Sequence, residues 1–252
     1  SFSSEEDYRT GFGPFTPGFK LVDYGSVEAI KAAITPNTVA LLVEPIQGEA
    51  GIHIPPLGYL EEIAELCREN QVLLALDEIQ TGFARTGKMF CYQHEEVKPD
   101  VLILGKALGG GVLPVSAVVA TEEVMSVFQP GQHGSTFGGN PLSAAVAVAA
   151  LDVMVDENLS DRSARLGSYL MGQLHPVLES PHVKEIRGRG LFVGIELKPE
   201  AGGARRFCEV LMEDGLLCKE THESVIRLAP PLVITKEELD WAVERVKRAL
   251  LG

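Results

Sequence analysis

The stretch VLLALD, Val72–Asp77, decides the fold class: five apolar residues in succession, ending on a carboxylate. An unbroken apolar run suits a strand buried on both faces of a parallel sheet, whereas a strand with one wet face alternates. Runs of the same kind lie on either side of it, VALLV (Val39–Val43) upstream and VLIL (Val101–Leu104) downstream, and a fourth spans Val115–Ala120. The segments between them are long enough for crossover helices. Within Leu57–Asn70, Leu60, Ile63, Ala64 and Cys67 fall on one helical stripe, which gives the order strand, helix, strand. The expected architecture is α/β, a mostly parallel sheet with flanking helices, over residues 1–141.

Beyond Asn140 the texture changes. An Ala- and Val-rich helix (Leu142–Val155) and a second helical stretch (Asp161–Val177) precede Gly-punctuated short strands around Val183–Leu197. The last segment opens with a Thr-x-x-Glu capping box, Thr235 and Glu238, and then sets Leu239, Ala242, Val243, Val246 and Leu250 on one face. Residues 142–252 are therefore expected to form a linking helix and a smaller C-terminal α+β domain. No internal repeat or low-complexity tract appears.

Composition narrows the class of molecule. A chain of 252 residues, 45% of them hydrophobic, can bury roughly 70–75% of the surface it exposes when unfolded. It needs neither disulfides nor metal to be stable. With 35 acidic against 22 basic residues the formal charge is -13, a poor match to nucleic acid or an anionic membrane. No apolar run approaches the ~20 residues of a membrane span. The four cysteines, Cys67, Cys91, Cys208 and Cys218, show neither zinc-site spacing nor a secreted disulfide pattern, so a reducing, cytoplasmic setting is expected. The six histidines have no metal-ligand spacing, and no metal is expected. The polar start, without Met, followed by the turn-rich FGPFTPGF (Phe12–Phe19), reads as a cut or processed end.

Each of the first three strands ends in an ionisable residue: Glu44, Asp77, and Lys106 one Gly beyond VLIL. The carboxyl ends of strands border the ligand crevice in open parallel sheets, so these groups can converge. Any one of them alone is an ordinary solvated loop charge. A desolvated lysine has a depressed pKa and can form an imine with a carbonyl compound. Pyridoxal phosphate is such a compound, and it also calls for a carboxylate at its ring nitrogen, because the protonated ring is what draws electrons from the bond being broken. Lys106 suits the first role and Asp77 the second. A lysine-dependent aldolase would use the lysine without needing the Asp.

Six motifs spread along the chain carry a resemblance: VEPIQGEAG (Val43–Gly51), LDEIQTGFARTGK (Leu76–Lys88), LGKALGGG (Leu104–Gly111), HGSTFGGNPL (His133–Leu142), RGRGLF (Arg187–Phe192) and IRLAPPLVIT (Ile226–Thr235). Together they resemble the class III, fold-type I pyridoxal-phosphate aminotransferases. Within that family GFGPFTPGF (Gly11–Phe19), GKALGGGVLPVSAV (Gly105–Val118) and GLLCKETH (Gly215–His222) are most similar to members that use ornithine. Members that use N-acetylornithine share EPIQGE and LAPPLVIT. Another ω-amino acid as donor is a further alternative of the same class, and a non-catalytic partial subunit is the alternative of another class.

The resemblance implies roles by position. Lys106 would be the Schiff-base lysine and proton shuttle, Asp77 the partner of the ring nitrogen, and Gln80 a neighbour of the cofactor's phenolic oxygen. Ser135 and Thr136 would hold the phosphate of the neighbouring subunit's cofactor, which implies a homodimer with shared sites. Arg227 would take the α-carboxylate of glutamate or 2-oxoglutarate, and Glu49 would pair with Arg227 while ornithine binds. Read without the resemblance, Ser135 and Thr136 are turn hydroxyls, Gly109–Gly111 turn formers, Arg227 a strand charge and Arg85 a structural residue. An upstream portion or companion chain is expected to supply the loop for the cofactor's own phosphate, the ring stacked on it and further substrate contacts.

Overall fold

The structure, a computed structural model, describes Ser3 and residues 5–252. The expected processed start falls partly on residues 1, 2 and 4, outside the described residues. Helix α1 (Val27–Ala33) begins where Ser26 Oγ accepts a hydrogen bond from Ala29 N at 3.1 Å, an N-cap that satisfies one of the helix's free donors. Strand β1 (Ala40–Val43), helix α2 (Tyr59–Glu69) and strand β2 (Leu73–Asp77) follow, then β3 (Val101–Leu104) and β4 (Ala117–Ala120), in the spatial order β1-β2-β3-β4. β1, β2 and β3 are parallel, with Val43 beside Leu76 and Asp77 beside Ile103.

The fourth strand departs from the parallel run. β4 is antiparallel to β3, Leu102 facing Val119, because residues 105–116 hold one short 3-10 turn and no crossover helix, so the chain can only double back. Burial on both faces is also incomplete. One face packs on α1 and α2 through Ile30, Leu60, Ile63, Leu74 and Leu76, while Leu42 is 43% and Val118 57% exposed.

A four-residue helix, α3 (Glu122–Met125), precedes α4 (Pro141–Asp156), which Asn140 caps by accepting from Ser143 N at 2.9 Å, with Pro141 at its first position. After α5 (Leu159–Leu174) come β5 (Val183–Gly188), β6 (Val193–Leu197), α6 (Arg205–Glu213), β7 (Lys219–Thr221), β8 (Val225–Leu228) and α7 (Lys236–Leu251). These strands form a second sheet, wholly antiparallel, in the order β5-β6-β8-β7. Helices α5, α6 and α7 bury Leu170, Leu211, Val243 and Val246 against Ile195, Leu197 and Ile226. At about 1.5–3 kcal/mol for each large apolar side chain removed from water, this core is the main stabiliser of the second unit. The capping box at the start of α7 is formed: Glu238 N donates to Thr235 Oγ1 at 3.1 Å, and Thr235 N to Glu238 Oε2 at 2.8 Å. Leu239, Val243, Val246 and Leu250 are buried, and Ala242 lies at the edge of that stripe. Among the described residues no helix is long and apolar enough to cross a membrane.

The two sheets meet at a backbone junction. The turn at Arg85–Gly87 touches the loop at Gly190, which in turn touches α5 at Gly167. A Cβ on Gly190 would lie 2.5 Å from the Thr86 carbonyl carbon, and one on Gly167 would lie 2.1 Å from Gly190 O. Ser163 closes the junction, its hydroxyl donating to Arg85 O at 2.9 Å and accepting from Leu191 N at 3.1 Å.

Helix propensity alone favours Ala over Gly inside α5 by about 1 kcal/mol. The clash with backbone at Gly190 cannot relax by a rotamer change, and overpacking typically costs about 1–3 kcal/mol. Gly167→Ala is therefore expected to destabilise the protein, seen as a lower midpoint in urea unfolding. A raised midpoint would mean that propensity outweighs the contact.

Candidate active site

Parallel pairing brings the ends of β1, β2 and β3 to one edge. Glu44 follows Val43, whose partner is Leu76, so it lies next to Asp77; Asp77 pairs with Ile103, three residues before Lys106. Asp77 Oδ1 accepts from Ile79 N at 2.9 Å, which fixes the carboxylate at the strand end. Its neighbour Glu78 belongs elsewhere. Successive strand side chains point to opposite faces, and Glu78 is fully buried, taking bonds from Thr81 Oγ1 (2.5 Å), Cys91 N (3.0 Å) and Tyr92 N (2.9 Å). Glu78 is thus a structural carboxylate that holds the turn after β2.

Lys106 opens the 3-10 turn after β3 with φ +45°, the left-handed region that costs a side-chain-bearing residue about 1–3 kcal/mol. Such strain is retained where surrounding structure imposes it, and it often marks a functional position. The amine is held below the ordinary lysine range, first by burial and also by the Arg227 charge, while the charges of Glu49, Glu44 and Asp77 pull the other way. Solvent still reaches the side chain, so the desolvation is partial. Glu44 is shifted upward, chiefly by burial with the Asp77 and Glu49 charges adding, against a hydrogen bond from Gly48 N at 3.2 Å.

The second sheet supplies the rest. Arg227 on β8 reaches across to the loop after β1, where its Nη1 donates to Glu49 Oε1 at 2.6 Å. Gln80 Nε2 donates to the same oxygen at 3.1 Å, and Arg227 Nη1 lies 3.4 Å from Gln80 Oε1. Lys219 on β7 donates to the other oxygen, Glu49 Oε2, at 3.1 Å. The Gln80 amide packs against Gly48, where a Cβ would lie 2.5 Å from Gln80 Oε1 and would shift that flexible side chain. The loop itself is pinned at both ends, by the paired backbones of Gln47 and His53 and by Arg187, whose guanidinium donates to Gly51 O and Ile52 O and pairs with Glu185 and Glu196.

The structure therefore gathers Glu49, Asp77, Gln80, Lys106 and Arg227 at one edge. Among the described residues no hydrogen bond or ion pair joins Ser135 or Thr136 to that group. They sit in an exposed segment before α4, with Ser135 Oγ accepting from Gly138 N at 2.9 Å. Sequence reasoning missed Lys219 and Arg187. The RGRGLF and GLLCKETH motifs singled out the stretches containing Arg187 and Lys219 without giving either residue a task, and the partner of Lys219 lies 170 positions away. Arg85 is structural, its Nη1 donating to Leu191 O (2.9 Å) and Pro230 O (2.6 Å). An apolar cavity of about 540 Å³ lies elsewhere, lined by Leu170, Leu217, Pro230, Val233 and Trp241; none of the gathered polar residues reaches it.

The chain as a whole is similar to known proteins. The family model for aminotransferase class-III matches residues 1–250. An ornithine aminotransferase of Brevibacillus brevis is 63% identical over 99% of the chain, which spans 62% of that protein's length. The structure of an ornithine aminotransferase from Toxoplasma gondii, with partial occupancy of PLP at its active site, superposes with a TM-score of 0.96 at 49% identity, covering 98% of this chain and 59% of that one. An acetylornithine aminotransferase from Elizabethkingia anophelis superposes with a TM-score of 0.89 at 48% identity, covering 94% of this chain and 63% of that one.

Burial raises the Glu49 carboxyl, but the hydrogen bonds and charges of Arg227 and Lys219 outweigh it and bring the group from its ordinary 4.5 down to about 2. Because the folded value lies below the unfolded one, the pairing stabilises the fold fully above 4.5 and is lost as pH falls towards 2. Carboxyl carbon NMR of Glu49 should show it ionised throughout the range in which free glutamate titrates. A midpoint at 4.5 would mean that the cluster does not hold in solution.

Proposed function

The chain belongs to the class-III aminotransferases and has their fold-type I α/β architecture, and from that premise we propose that it carries the lysine-bearing part of an enzyme that moves the δ-amino group of ornithine to 2-oxoglutarate, giving glutamate 5-semialdehyde and glutamate. The observation that supports this most is the Glu49–Arg227 pair at 2.6 Å beside Lys106 and Asp77. One site must take ornithine by its terminal amine and glutamate by its α-amine. An uncovered Arg227 would seize the α-carboxylate of either and present the α-amine in both cases. Glu49 covers Arg227 while ornithine reacts, and a dicarboxylate later displaces Glu49 by offering the guanidinium a competing carboxylate.

The donor set suits pyridoxal phosphate: an amine of lowered pKa, a carboxylate fixed at the neighbouring strand end, and an amide beside them. Bound there, the cofactor supplies an electron-accepting ring that weakens the C–H bond at the amine-bearing carbon. Lys106 would hold it covalently and, as a free amine, would serve as the base that takes the proton from that carbon. Asp77 would keep the ring nitrogen protonated, and Gln80 would stand by the phenolic oxygen. Ser135 and Thr136, exposed here, would donate to the phosphate of the cofactor of a second subunit in a homodimer. We divide the chain into residues 1–141, part of a cofactor-binding domain, and residues 142–252, a linking helix and small domain. We also assign the protein to the cytoplasm, where thiols such as its four free cysteines stay reduced.

A second reading, N-acetylornithine as donor, draws on the likeness to the Elizabethkingia anophelis structure. Side-by-side turnover of the two donors decides between them.

In the cofactor-loaded enzyme, Lys106→Ala is expected to cut turnover by about 10²–10⁴-fold or more. Mass spectrometry after borohydride reduction should find the pyridoxyl adduct on Lys106, and an adduct on another lysine would sink the assignment. For Glu49→Ala, single-turnover kinetics should show the glutamate half-reaction speeded relative to the ornithine one, by about one to two decades at most. An unmoved ratio would leave Glu49 an ordinary loop carboxylate.

A further inference from the structure

Glu49 is held by two cations, and its two oxygens are divided between them: Arg227 takes Oε1 at 2.6 Å and Lys219 takes Oε2 at 3.1 Å. The two cations are direct cross-strand partners, Lys219 on β7 facing Arg227 on β8. They differ in setting. The Arg227 side chain is 16% exposed, deep enough to keep a ligand, whereas Lys219 is 60% exposed.

We propose that Lys219 is a positioning residue that receives Glu49 when Arg227 is given up to a dicarboxylate. The inference rests on the reading of Arg227 as the carboxylate-binding group. Its physical basis is the charge of the cluster. Glu49, Arg227 and Lys219 together carry one net positive charge, so an arriving carboxylate makes the group neutral. Without Lys219 the closed pair is already neutral, and the same carboxylate leaves one uncompensated negative charge beside Glu44 and Asp77. Arg227 exchanges one carboxylate for another at little cost, but Glu49 loses its partner. Lys219, already bonded to the far oxygen, lets Glu49 leave Oε1 free without becoming unpaired, and a short swing about that contact opens Arg227.

Lys219 is exposed and touches neither core, so Lys219→Met should fold. In the cofactor-loaded enzyme, calorimetric titration with glutarate, a dicarboxylate without an amine, should show Kd raised about three- to five-fold, the scale of one exposed ion pair. KM for 2-oxoglutarate should rise in the same proportion, with a smaller change in kcat and in the ornithine half-reaction. Lys219→Arg should restore both values. In a Glu49→Gln background, Lys219→Met should change the glutarate Kd by less than about 1.5-fold, because the residue acts through Glu49. An equal effect in both backgrounds would mean that Lys219 binds the dicarboxylate itself, and no effect in either would make it a surface charge; both results overturn the proposal. Glutarate binding needs no amino donor, so it tests Lys219 even if ornithine proves not to be the substrate, whereas loss of dicarboxylate binding on Arg227→Met is what tests the reading beneath it.

Discussion

Three backbone segments meet with no side chain between them at Arg85–Gly87, Gly190 and Gly167, a contact that holds the second sheet against the turn after β2. Arg85 runs through the same junction, tying the turn after β2 to Leu191 O and Pro230 O. Burial lowers this guanidinium to about 10, still well above neutrality, so it stays a charged donor with its bonds made to carbonyls. Pro230 lies three residues beyond Arg227. The clamp that joins the sheets thus also sets where β8 delivers its arginine. Arg187 adds a second tie, from β5 to the carbonyls of the loop that carries Glu49.

At the edge so formed, desolvation and charge pairing work in opposite directions. Burial favours neutral forms, and it prevails at Lys106, whose amine is lowered, and at Glu44, whose carboxyl is raised. At Glu49 two hydrogen-bonded cations prevail over burial and hold the group ionised. Within one small region the fold therefore maintains an amine closer to its neutral, nucleophilic form and a carboxylate kept charged. In the function proposed above, these are the states asked of Lys106 and of Glu49.

The parallel core was legible because its signal is local. VALLV, VLLAL and VLIL are apolar at every position, and a chain can bury such runs economically only in a covered sheet. The α7 capping box was legible for the same reason, since Thr235 and Glu238 satisfy one another within a single turn. Strand direction at β4 was not. Whether a fourth apolar run lies parallel or antiparallel depends on the connection before it, and residues 105–116 fold into a short turn instead of a crossover. Nor did the full apolar character of β1 and β4 guarantee two covered faces.

By itself the sequence determined the α/β class, the three strand-end charges and the family that the motifs resemble, because each is carried by residue type and short-range spacing. Only the tertiary structure decided what the adjacent Glu78 does, since its burial and its bonds from Cys91 N and Tyr92 N depend on a segment more than ten residues away. It also decided that Glu49 is shared between Arg227 and Lys219. That contact joins residues 170 and 178 positions apart, through the register of β7 on β8 and the docking of one sheet on the other. Periodicity records which face of an element is apolar, but not which distant polar group it will meet, because that meeting is fixed by how backbones pack across the whole molecule.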